Sequence, residues 1–69
     1  MSSKERLKLL VKLERELKVD GGRDDALKRY YYALLNRPLV LEGRVWEVLC
    51  VEGNRVLLAS GDEVRYVDA

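Results

Sequence analysis

The sequence predicts an α+β fold, with an N-terminal antiparallel helical hairpin packed on a C-terminal antiparallel β-meander of three to four strands. Three observations carry that prediction. Pro38 divides two hydrophobic periods, helical before it and strand-like after it. Beyond Pro38 the separators Glu42-Gly43, Gly53-Asn54 and Gly61-Asp62 are two residues long and contain Gly, as tight hairpins require. With 69 residues the chain makes one domain at most, the hairpin over 1–37 and the meander over 38–69.

The first helix is predicted from about Lys4 to Lys18. Ser2 and Glu5 fit a capping box, and Gly21-Gly22 ends the helix. At about 100° per residue, Leu7, Leu9, Leu10, Leu13 and Leu17 fill an arc roughly 160° wide, with Arg6 inside it and Glu14 at its edge. Lys4, Lys8, Lys12 and Arg15 gather on the opposite face, with Val11 among them. The second helix is predicted from about Asp24, its N-cap, to Asn36. Leu27, Tyr30, Tyr31, Leu34 and Leu35 follow the i, i+3, i+4, i+7, i+8 template, and Pro38 stops the helix. A short linker makes the two helices antiparallel.

The strands are predicted over Leu39–Leu41, Arg44–Val51, Arg55–Ala59 and Glu63–Val67. Hairpin register sets Glu52 across from Arg55, Val51 across from Val56 and Leu49 across from Leu58, and puts Leu57 between Cys50 and Tyr66. Strict alternation then gives one face of Trp46, Val48, Cys50, Leu57, Ala59, Val64 and Tyr66. The other holds Val45, Leu49, Val51, Val56, Leu58 and Val67, with Glu47 and Arg65 as charged exceptions. Both faces are mostly apolar, whereas an antiparallel sheet with one wet side alternates apolar with polar. The helices cover one face. For the other, either the strands curl into a small barrel resembling an SH3-like fold, or a second copy packs against it. So short a sheet closes poorly, which favours a homodimer or higher oligomer. The expected protein interface is therefore Val45, Leu49, Val51, Val56, Leu58 and Val67, and Leu58→Glu is expected to dissociate the assembly while the helices persist.

Few side chains offer chemistry. The chain has no His, Phe, Thr, Ile or Gln, which removes the commonest general base and the commonest metal ligand. Cys50 lies within a strand between Leu49 and Val51, with no His to activate it, and reads as a buried thiol; a lone Cys is no zinc site. Asp20, Asp24 and Asp25 lack the ladder of a calcium loop and read as helix caps. Gly21-Gly22 lacks the surroundings of a phosphate loop. No enzyme activity, cofactor, metal or small-molecule substrate is expected. Trp46, Tyr30 and Tyr31 read as core, whereas Tyr32 projects with Lys28 and Arg29 toward the charged side. Those three, with Arg37 near the helix end, form a candidate polar-aromatic contact for a protein or for nucleic acid.

Net charge is only +1, but residues 1–38 carry ten basic and six acidic groups, and residues 39–69 carry three basic and six acidic. A basic half joined to an acidic half suits nucleic acid at one end, or head-to-tail association. No apolar run reaches the ~20 residues that span a bilayer, and the N-terminus has no signal-peptide pattern. With a single cysteine, the expected location is a reducing cytoplasm. The composition resembles that of heat-adapted proteins. The expected function is a small non-catalytic interaction module, self-associating or docking on one protein partner through the spare sheet face. The alternative is a nucleic-acid-binding regulator that uses the basic helical half.

Overall fold

The computed structural model describes residues 1–69. Helices α1 (Ser3–Asp20) and α2 (Asp25–Leu35) precede strands β1 (Leu39–Leu41), β2 (Arg44–Glu52), β3 (Arg55–Ser60) and β4 (Glu63–Asp68). The sheet is antiparallel throughout, its order β1-β2-β3-β4 follows the chain, and both helices pack on one of its faces. β1 and β4 stand at opposite edges without pairing, so the strands form an open sheet and give no support to an SH3-like barrel.

Local chemistry sets the helix ends. The Ser2 hydroxyl accepts the Glu5 backbone N–H at 3.1 Å and donates to the Glu5 carboxylate at 3.2 Å, which closes the start of α1. At its end the Gly21 and Gly22 N–H groups donate to Lys18 and Leu17 carbonyls, with Gly21 left-handed at φ 71°. The acidic residues of the linker act as caps: Asp24 accepts from the Leu27 N–H at 3.1 Å, and Asp20 accepts from the Asp24 N–H at 2.6 Å. In the first hairpin both Glu42 and Gly43 have positive φ, the pattern of a type I′ turn.

α1 carries two apolar strips. Leu7 and Val11 pack on the sheet with Leu39, Trp46, Val56 and Leu58, whereas Leu10 and Leu13 pack on α2 with Tyr31 and Leu34. Val11, assigned to the charged face by the single-arc reading, is therefore core: a helix that touches two layers needs a wider arc than a one-sided stripe. Tyr30 departs from expectation the other way. It stands at the edge of the α2 arc and is 48% exposed, while Tyr31 is buried. Three long-range contacts tie α1 down: Ser3 Oγ to the Val40 carbonyl at 2.8 Å, Arg15 to Asn54 Oδ1 at 2.8 Å, and Arg6 to the carbonyls that follow α2.

Sheet register differs from strict alternation at one place. Val48 pairs with Leu58 and Cys50 with Leu57, so Leu49 is an extra residue, a β-bulge in β2. The bulge reverses the phase of β2, and Trp46 and Val48 come under the helices together with Val51, Val56, Leu58 and Val67. Four of the six expected interface residues thus belong to the core side, and Val56 and Leu58 are wholly buried. The expected pairing of Leu49 with Leu58 fails for the same reason. The Leu58→Glu expectation is withdrawn with it: that change buries a carboxylate in the core and disrupts folding.

Beyond the helices, side chains of the sheet itself close the inner face. Trp46 is 1% exposed and donates its indole N–H to the Leu41 carbonyl at 3.2 Å. The guanidinium carbons of Arg44 and Arg65 lie 4.6 Å and 4.9 Å from its ring centroid. Glu63 holds both arginines, at 2.6 Å and 2.7 Å, and Glu42 takes Arg65 at 3.1 Å. The hydrogen bonds from Arg44 and then Arg65 keep the Glu63 carboxyl below its ordinary range.

Candidate interaction surface

The face of the sheet away from the helices is covered by no element of the chain. Register places on it Val40 beside Val45, then Glu47, Ala59 and Val64, then Cys50, Leu57 and Tyr66, and at the far end Glu52, Arg55 and Asp68. Leu49 projects from the bulge and is 46% exposed. Val40, Val45 and Val64 are 60%, 61% and 60% exposed, and Tyr66 is 46% exposed. Cys50, Leu57 and Ala59 are half-buried between them. This apolar surface has the hydrophobicity expected of the spare face but a different membership. Of the expected six, Val45 and Leu49 lie on it, and Val51, Val56, Leu58 and Val67 do not.

One polar end is ordered. The Arg55 guanidinium stacks 4.4 Å over the Tyr66 ring. The neighbouring Glu52 carboxylate pushes the Tyr66 phenol up, against the opposing effect of Arg55. Glu47 and Arg55 make no ion pair within the chain.

The polar-aromatic group on α2 is looser. Arg29 is exposed, Tyr32 is 53% exposed and Lys28 is half-buried. The Tyr32 ring lies edge-on to Tyr31, with centroids 5.4 Å apart. Arg37 follows the helix and, with Leu35, Asn36, Pro38, Glu47 and Val48, lines an open cleft of about 290 Å³. Sequence reasoning set Val64 and Tyr66 on the covered face, because the phase of the bulge decides which face is uncovered, and assigned Val40, the partner of Val45, to neither face.

No family model, no curated protein and no solved structure matches this chain. No helix is long and apolar enough to cross a membrane.

Proposed function

We propose that this chain is a non-catalytic interaction module that pairs with a second copy of itself through the outer face of its sheet. The observation that carries the reading is the contiguous apolar surface of Val40, Val45, Leu49, Val64 and Tyr66, unshielded by any element. Those five residues present on the order of 500 Å² of surface, at the upper end of the largest apolar patch a monomer usually exposes, a patch that is often functional. With Glu47 inside the face and Glu52, Arg55 and Asp68 at its end, the surface approaches the ~800 Å² per partner of a stable interface. Only ten of 69 residues are buried, and a domain with so small a core gains from burial against a partner.

A second copy is favoured as the occupant on two grounds. A sheet face packs on an identical face about 10 Å away, as in a sandwich, and a two-fold contact is self-complementary. Glu47 and Arg55, opposite in sign and unpaired within the chain, are available to meet across that axis. Edge-to-edge pairing is disfavoured: β4 turns the charged Glu63 and Arg65 toward the inner face, and the free stretch of β2 is broken by its bulge.

The test is molar mass against concentration, by sedimentation or light scattering. A dimer at micromolar concentration is expected, and Val64→Glu, which changes an exposed residue, is expected to give a folded monomer. As the pair forms, alkylation of the half-buried Cys50 is expected to slow. A chain that stays monomeric to millimolar concentration, or a Val64→Glu variant that still dimerises, would sink the proposal.

A further inference from the structure

We infer that the solvent flank of α1 binds the phosphate backbone of double-stranded nucleic acid without reading its sequence. Lys4, Lys8, Lys12 and Arg15 are all exposed and project from one side of the helix. Successive lysines stand about 6 Å apart along the axis, and the four span about 16 Å. That spacing is near twice the ~3.4 Å rise between phosphates along one strand.

The four cations on this flank form no ion pair. The ion pairs of the chain are Lys18 with Glu14, Arg44 with Glu63, and Arg65 with Glu42 and Glu63; none involves Lys4, Lys8 or Lys12. Arg15 donates only to the neutral amide oxygen of Asn54. Of the nearest acids, Glu5 is held by the Ser2 hydroxyl, and Glu16 lies on the adjoining row, more than 4 Å from any basic nitrogen. Like charges one helical turn apart destabilise a helix, and a polyanion laid along them reverses that effect. A rigid line of point charges with no aromatic side chain among them suits a duplex backbone; single strands are held by stacking on aromatic platforms. A lipid surface fits less well, because the apolar strips of α1 are buried against the sheet and α2 and leave nothing to insert.

Binding of the full chain to a fluorescent mixed-sequence DNA duplex of about 20 base pairs tests this, with the affinity read as salt rises. Four phosphate contacts give a slope of log affinity against log salt of about −3.6. Lys8→Gln with Lys12→Gln is expected to halve that slope to about −1.8 while the helical signal is retained. The Val64→Glu monomer is expected to bind with the slope intact, so this surface stands or falls independently of self-association. No duplex binding at low salt, a slope unchanged in the double variant, or binding to anionic lipid vesicles without binding to the duplex would each overturn the inference.

Discussion

Arg6 sits within the apolar arc of α1, where a charge is costly unless it reaches partners. Its guanidinium does so by crossing to the end of α2, donating to the carbonyls of Pro38 at 2.8 Å, Arg37 at 3.0 Å and Leu34 at 3.5 Å. The Leu34 carbonyl lies in the last turn of α2 and also accepts from the Arg37 N–H, while Arg37 and Pro38 follow the helix, so the guanidinium gathers at the negative end of its dipole. Desolvation, followed by the nearby Arg37, lowers the Arg6 pKa, and its Nε has no acceptor. Charge-assisted bonds of this kind contribute about 2 kcal/mol. Arg6→Ala is therefore expected to lose about that much in urea unfolding and Arg6→Lys to recover part of it; an alanine variant as stable as the parent would show that the clamp is idle. Tyr31 makes the complementary case. Burial, with a smaller effect from the Glu14 carboxylate, pushes its phenol up to about 12. The neutral form is the one that fits the fold. Its contribution is complete below the unfolded value of about 10 and is lost as pH rises from there toward 12. Across that window Tyr31→Phe is expected to lose less stability than the parent, and equal losses would refute the assignment.

Among the elements, β2 shows where reading by pattern reaches its limit. The helices, the turns and all four strands were legible to within one or two residues, because caps, glycines and Pro38 punctuate them. The pairings next to the turns were legible too, down to Leu57 between Cys50 and Tyr66. The bulge at Leu49 was not. Alternation reveals a one-residue slip only when one face is polar, and here both faces are apolar, so either phase satisfies the pattern. The ladder itself supplies a test. Removing Leu49 leaves Val48 paired with Leu58 and Cys50 with Leu57 as consecutive rungs, with every inward side chain still inward. The Leu49 deletion is therefore expected to fold with its helical content and Trp46 environment preserved, at a cost of about 1 kcal/mol from lost twist. Failure to fold would mean that the bulge is required for the helices to seat.

For the molecule as a whole, the division of charge seen along the sequence becomes a division in space. Lysines that form no ion pair line α1, while the exposed sheet face ends in Glu52, Arg55 and Asp68. The proposed self-association and the proposed duplex binding therefore occupy different sides of the chain and do not compete for residues. That a second apolar face exists was legible from the alternation pattern of the strands, since both faces came out apolar and one helical hairpin cannot cover both sides of such a sheet. Which side chains form it depended on the bulge; the row of Lys4, Lys8, Lys12 and Arg15 was legible from helical periodicity, and only its lack of ion pairs required the structure. The contacts that seat α1 join residues far apart in sequence, Ser3 with Val40, Arg6 with Pro38 and Arg15 with Asn54, whereas every rung of the sheet joins neighbouring strands. Contact separation therefore predicts that the meander closes early and that docking of the first helix is the slower search. On a ribosome the order is unfavourable: α1 emerges ahead of the sheet, and the strip of Leu7 and Val11 is not fully covered until Val56 and Leu58 have followed Leu39 and Trp46 out.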